Sequence, residues 1–328
     1  MLKEIEYNDG RHEDYAYEWR PHNKVYDCWS ARCGLHDAAD PEQHYSFYFS
    51  FRKMPRPLAE FVLNVMICDY KGHRLWQIDK TVPFGRADAL GIEVDEQYLF
   101  CGNGVQLLND EYAIAMNIIG ADFTFDLCLA KKHPGFWMAE GKPVEDASGR
   151  YFNHVYPYMQ CVGKLTIGGK TLRLEGEGCF ERIYGEVMLQ TELAHSERIL
   201  LSLDDGPQLY VTYLPQKGDY QAYYLPKTGP ARLARGLVLE VKERAAVEAW
   251  RFGSEYRLAL PGLPQDSYIL RSLDTISYDY PFSMMFAGVY DAEDKLVGHA
   301  YGELMPAART TMEALTRKQR RVLEKYPL

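Results

Sequence analysis

Hydrophobic and polar positions alternate with a period of two along most of this chain, and the alternation comes in short bursts. Tyr45-Ser46-Phe47-Tyr48-Phe49-Ser50-Phe51 alternates aromatic with small residues, and Phe123 to Lys131 (FTFDLCLAK) alternates apolar with polar. Successive side chains of an extended strand point to opposite faces, so each burst predicts a half-buried strand. Further strand-length segments run over 59–69, 74–82, 97–102 and 111–119. Residues 1–44 are more polar and carry short extended pieces such as Lys24 to Trp29. The strands recur at intervals of about ten residues with no helical pattern between them, which predicts an antiparallel barrel or sandwich.

After Gly185 the pattern restarts, with strands predicted over 199–203, 208–214, 221–225, 236–243, 255–260, 266–273, 284–290 and 296–304. Turn residues such as Asp204-Asp205-Gly206 punctuate them. Two series of strands predict two similar β-domains, over 1–190 and 191–306. Beyond Pro306 the period changes. Met312, Leu315, Val322 and Leu323 gather on one side of a segment otherwise rich in Arg and Lys. This predicts an amphipathic helix over 307–328, packed on the β-domains or on a partner subunit of a homodimer.

The densest chemistry lies in Tyr151 to Gly185. A strand bearing aromatic residues and a histidine leads to Gly168-Gly169, a strong two-residue hairpin signal. The returning strand ends in a corner, Gly176 to Gly185, that crowds carboxylates, a guanidinium and a phenol between glycines. Two classes of partner fall away on composition. The net charge of −9 and the lack of a basic patch outside the last twenty residues argue against nucleic acid. No apolar run is long enough to span a bilayer. The charged start MLKEIEYNDG lacks the apolar region of a secretory leader, which predicts a cytoplasmic protein. The seven cysteines (28, 33, 68, 101, 128, 161 and 179) show no CxxC pair and lie mostly in apolar runs, so they read as reduced core residues. There is no GxSxG elbow, no P-loop and no HExxH, and the histidines show no metal spacing. No metal and no cofactor is expected.

Aromatic abundance changes the picture more: 25 Tyr, 14 Phe and 5 Trp favour strands, and also pockets where one end of a ring is apolar and the other wet. Glu181 is the first candidate for a proton donor, because a carboxylic acid in an apolar site holds its proton more tightly. A salt bridge to its neighbour Arg182 is the competing role, although adjacent strand residues face opposite ways. His154, Tyr156 and Tyr158 share parity and so are expected on one face, as base and phenols or as plain surface. Asp69 closes an apolar strand beside Tyr70 and precedes His73 and Trp76; it is a catalytic candidate or a turn residue. His133 and Trp137 form an aromatic loop suited to a lid or to packing, and Tyr278 and Tyr280 form a third cluster. Tyr158, Trp76, His133, Trp137, Tyr184, Tyr278 and Tyr280 are the substrate-contacting candidates.

The order of Pro157, Gly163, Leu165, Gly176, Gly178, Glu181, Tyr184 and Gly185, closed by Gly298-His299-Ala300-Tyr301-Gly302-Glu303-Leu304, resembles the lipocalin-like hydrolase and carotenoid 1,2-hydratase (hydroxyneurosporene synthase) superfamily. The resemblance spans roughly 45–305. It implies two tandem lipocalin-like (calycin) antiparallel barrels with a hydrophobic ligand pocket. Similar members include hydratases of isoprenoid double bonds, kievitone-hydratase-like enzymes and lipocalin-like Diels–Alder cyclases. This chain departs in flanking its corner acid with Phe180 and Arg182 instead of histidines, in using Glu for Asp, and in placing Asn153-His154 where a Tyr-Tyr pair is often found. The expectation is an all-β, cofactor-independent enzyme acting on a hydrophobic isoprenoid, polyketide or phenolic, as hydratase/lyase or isomerase/cyclase. A non-catalytic carrier of a lipophilic ligand is the alternative. A pocket that folds a polyene by shape alone is a third option.

Overall fold

A strand with apolar residues at every second position must bury one face, and this chain does so in two separate sheets. The computed structural model describes residues 26–54, 60–86, 92–94, 98–102, 104–110, 112–132, 135–137, 144–146, 149–187, 196–204, 206–214, 219–225, 232–247, 250–276 and 283–305. The chain divides into two compact units between Leu189 and Gln190. Among the described residues the single helical piece is a 3₁₀ turn at Phe84–Arg86. None of them forms a helix long and apolar enough to cross a membrane. The expected helix over 307–328 lies outside the described residues.

The first unit is one antiparallel sheet. Its strands are β1 (Tyr26–Asp37), β2 (Asp40–Met54), β3 (Glu60–Asp69), β4 (Arg74–Pro83), β5 (Ile92–Val94), β6 (Tyr98–Cys101), β7 (Val105–Asn109), β8 (Ala113–Ile119), β9 (Phe123–Ala130), β10 (Phe136–Trp137), β11 (Val144–Asp146), β12 (Gly149–Ile167) and β13 (Lys170–Val187). They run in the order β4-β3-β2-β1-β13-β12-β9-β8-β7-β6-β5, with β10 and β11 paired to β12. The sheet curls until its inner face becomes a core. Phe47 of β2 meets Phe125 of β9 edge to face at 5.4 Å. Ile78 and Val82 of β4 join Leu99 and Cys101 of β6 in the same cluster.

Three glycines help hold this sheet together. Gly168 and Gly169 have φ of 55° and 78°, and both central residues of a type I′ turn need positive φ. Gly176 lets β1 approach β13, since a Cβ there would lie 2.0 Å from the Gly34 carbonyl oxygen. Central strands of the sheet are buried on both faces. Beside the apolar face carrying Trp29, Ala31, Cys33 and Leu35 runs a buried polar one with Ser30, Arg32, Ser50, Asn64 and Glu181.

The second unit repeats the plan with β14 (Ser196–Leu203), β15 (Gln208–Leu214), β16 (Asp219–Leu225), β17 (Arg232–Leu233), β18 (Val238–Val247), β19 (Trp250–Ala259), β20 (Tyr268–Ile276), β21 (Ser283–Tyr290) and β22 (Leu296–Met305). The order is β17-β16-β15-β14-β22-β21-β20-β19-β18. Ile199, Leu201, Val211, Leu258, Met285 and Ala300 form its core. Its two ends meet where the Tyr220 phenol donates to the Leu237 carbonyl. All seven cysteines are free thiols, six buried and Cys128 exposed.

Candidate functional site

Polar residues in phase with an apolar strand face are costly, because the face is dry. In the first unit they gather at one end of the inner face. Asp27 lies opposite Tyr184 on β13 and opposite Lys53 on β2. On β12, Phe152 lies opposite Tyr184, His154 opposite Arg182, and Tyr156 opposite Phe180. Directly paired residues point to the same side of a sheet. These groups therefore share the face that carries Trp29 and Phe180.

The electrostatics centre on Asp27, which is 3% exposed. Arg182 grips it with two bonds, Nη2 to Oδ2 at 3.0 Å and Nε to Oδ1 at 3.3 Å. The guanidinium is itself held over aromatic rings, 5.1 Å from the Trp29 centroid and 5.5 Å from that of Tyr184. Tyr184 stacks on Phe152 at 5.5 Å. Burial pushes the Asp27 carboxyl above its usual range, and this outweighs the opposing pull of Arg182 and Lys53.

His154 is 6% exposed and Tyr156 8%. Their rings meet edge to face at 4.6 Å. The backbone before β10 closes over them: a Cβ at Gly135 would lie 2.4 Å from His154 Nε2 and 2.9 Å from Tyr156 Cε1. Lys131 stands over the Tyr156 ring, its Nζ 4.4 Å from the ring centre. It donates to Asn109 Oδ1 at 2.7 Å and to the Asp110 carbonyl. Burial lowers the pKa of this ammonium.

The remaining sequence candidates fall in other places. Glu181 pairs with Ser30 and Val155 in register, so it points away from His154 and Tyr156. There it takes a 2.7 Å bond from Arg32 Nη2 and one of 3.2 Å from Ser30 Oγ. In place of the Glu181–Arg182 bridge that competed with the proton-donor role, the structure has two pairs on opposite faces, Arg32–Glu181 and Arg182–Asp27. Tyr158 does not follow the parity of His154 and Tyr156. A bulge shifts the register between Tyr156 and Met159, and Tyr158 itself has a φ of 49°. The extra residue puts Met159 and Cys161, not Tyr158, in the core cluster.

Asp69 sits at the far end of the sheet, opposite Tyr45. Tyr45 is eight residues along β2 from Lys53, about 26 Å at 3.3 Å per residue. There Asp69 accepts from the Gly72 amide at 2.9 Å and from Gln43 Nε2, the pattern of a turn residue. Trp76 lies on β4, the end strand of the order, beside Ile67 of β3, and packs on the core cluster. Trp137 pairs in register with His154. His133, Tyr278 and Tyr280 lie outside the described residues.

Asp27, Lys53 and Trp29 were not singled out by their sequence. The available signal is phase: Asp27 shares parity with Trp29, Ala31, Cys33 and Leu35, as Lys53 does with Phe47, Phe49 and Phe51. Chemically, the end of the sheet combines an imidazole, phenols, and a carboxyl clamped by a guanidinium, all against aromatic walls. Such a set can bind an oxygen atom and exchange protons out of bulk water. Among the described residues no group of three or more His, Cys, Asp or Glu side chains is placed to hold a metal.

No protein-family model matches the chain, and no curated protein matches it. Solved structures do share its fold. A protein provisionally assigned as AttH from Nitrosomonas europaea superposes with a TM-score of 0.68 at 15% identity, over 85% of this chain and 92% of that one. Kievitone hydratase from Nectria haematococca superposes with a TM-score of 0.63 at 8% identity, over 85% of this chain and 88% of that one. At these identities the likeness is one of fold.

Proposed function

We propose that this protein is a cofactor-independent enzyme acting on a hydrophobic small molecule, as a hydratase/lyase or isomerase/cyclase of the lipocalin-like superfamily. The reaction is placed at the Asp27–Arg182 end of the first sheet. The observation that carries the reading is the joining of His154 and Tyr156 with a clamped, burial-shifted carboxyl in one aromatic surround. The fold shared with kievitone hydratase supports the class. The substrate is an isoprenoid, polyketide or phenolic bearing a reactive double bond.

For hydration, one alkene carbon takes a proton and the other takes the oxygen of water. Asp27 is the proton donor, since burial favours its neutral form. His154 takes the proton that the attacking water releases. Proton return from His154 to Asp27 restores both groups. Tyr156 holds a carbonyl or hydroxyl of the substrate, and Arg182 steadies Asp27 as it turns negative. Glu181 takes no part.

The test begins with native mass spectrometry of the protein from its own host and identification of any retained ligand. That ligand, or a panel of prenylated phenols, is then incubated with the enzyme in H₂¹⁸O. Incorporation of ¹⁸O is expected for hydration and a mass-neutral product for cyclisation. His154→Ala should slow turnover by about 10²–10⁴-fold, the usual worth of a general acid–base group. Turnover that survives in His154→Ala and Asp27→Asn would overturn the assignment. Retained saturated fatty acids with no turnover of the panel would favour a carrier.

A further inference from the structure

The two sheets share a strand order as well as a fold class. In each, four strands run outward from the first, and the first strand is bonded to the last: β1 to β13, β14 to β22. Continuing past the last strand, β12-β9-β8-β7 corresponds to β21-β20-β19-β18. On this correspondence Asp27 has a counterpart. It is the second residue of β1 and shares the inner face with Trp29, Ala31 and Cys33. Glu197 is the second residue of β14 and shares the inner face with Ile199, Leu201 and Leu203.

Glu197 is 0% exposed. Its Oε2 accepts from the Tyr256 phenol, and its Oε1 accepts from the Gly253 amide at 3.3 Å. Tyr213 lies opposite it on β15 and Leu304 opposite it on β22. Burial, and after it the Glu197 carboxylate, push the Tyr256 phenol well above its usual range. The phenol therefore stays protonated and donates its hydrogen bond to Glu197, leaving the lone pairs of its oxygen to accept. The neighbouring strand β18 breaks register between Val241 and Arg244, where Arg244 meets Gly253. A bulge adjoins the first site too, at Tyr156 and Met159. Bulges beside sites serve to re-aim side chains.

We propose that the second sheet carries its own ligand site at Glu197 and Tyr256, at the end corresponding to the first, and that it takes a lipophilic alcohol or phenol. The ligand hydroxyl donates to the Tyr256 oxygen while Tyr256 donates to Glu197, and the apolar body lies against the core at Ile199 and Leu304. The site is independent of the reaction placed in the first sheet.

The test uses the full chain and two probes, 2-naphthol and 2-methoxynaphthalene, which match in bulk but differ in the O–H. The Gly253 amide resonance of the unsubstituted protein, bonded to Glu197, should move on titration with 2-naphthol and saturate. With the methyl ether it should move little. Calorimetry should show Tyr256→Phe weakening one class of 2-naphthol site about tenfold or more, the worth of one good hydrogen bond. His154→Ala should leave that class unchanged. A Gly253 amide that ignores 2-naphthol, or that answers both probes alike, overturns the proposal, and neither result bears on the first site. The amide measurement needs no substitution, so it stands even if Tyr256→Phe fails to fold.

Discussion

Replacing Glu181 with leucine takes the carboxylate from a buried Arg32 guanidinium. The two side chains are 1% and 5% exposed and bond at 2.7 Å. The cation loses its 2.7 Å carboxylate partner where it is 5% exposed, and Ser30, which also donates to Glu181, has no negative charge to offer in exchange. Removing one partner of a buried ion pair typically costs about 3–5 kcal/mol. For a unit of this size each kcal/mol lowers Tm by roughly 2–4 °C, so Glu181→Leu should lose about 6–20 °C. The double variant Arg32→Met with Glu181→Leu removes both charges and leaves comparable volume, and should recover most of the loss. Scanning calorimetry and urea unfolding of wild type, both single variants and the double variant close the cycle. Glu181→Gln, assayed below its own Tm, should keep turnover per folded molecule within about threefold of wild type, well short of what a general acid supplies. A Glu181→Leu variant within about 0.5 kcal/mol of wild type, the range of an ordinary surface substitution, would refute the reasoning, as would a double variant no better than the single one.

Three further outcomes are expected. Gly135→Ala should drive a methyl group into His154 and Tyr156, which lie 2.4 Å and 2.9 Å from the added Cβ; turnover should fall at least tenfold while the circular-dichroism spectrum holds. Asp27 takes up its proton more readily folded than unfolded, so its raised pKa makes the folded chain bind the extra proton. Wild-type stability measured against Asp27→Asn should therefore fall as pH climbs from about 3.9 through the folded-state value of Asp27, and level off above it; a difference that rises with pH would contradict this. Cys128 alone is exposed among the seven cysteines, and burial raises its thiol pKa. A disulfide reagent should label one thiol in the native protein, faster at higher pH, and the other six only after unfolding; Cys128→Ser should abolish the fast phase.

Strand positions were legible in the sequence because the signal is local. A period of two is set by the pleat, and the Gly168-Gly169 turn by two residues that tolerate positive φ. The bursts at 45–51 and 284–290 fall within β2 and β21, β2 running several residues further at each end, and 123–131 overruns β9 by one residue. Short pieces such as β5, β10 and β11 gave no such signal, since two or three residues cannot establish a period. The aromatic, histidine-bearing strand was readable as chemistry, and His154 and Tyr156 are the two catalytic candidates that the fold brings together.

The sequence by itself determined that the segments of period two are β, that this pattern occurs twice, and that polar residues interrupt apolar faces at particular phases. Tertiary structure decided which partner each of those polar residues meets. Glu181 and Arg182 are neighbours in sequence yet point to opposite faces, so each finds its partner on β1, 149 and 155 residues away. A one-residue change of phase at the Tyr156–Met159 bulge likewise moved Tyr158 out of a row that parity alone assigns it. Pairing across such distances depends on strand order and register, which no local pattern encodes, and it is this pairing that sets a carboxyl beside a guanidinium or beside a phenol.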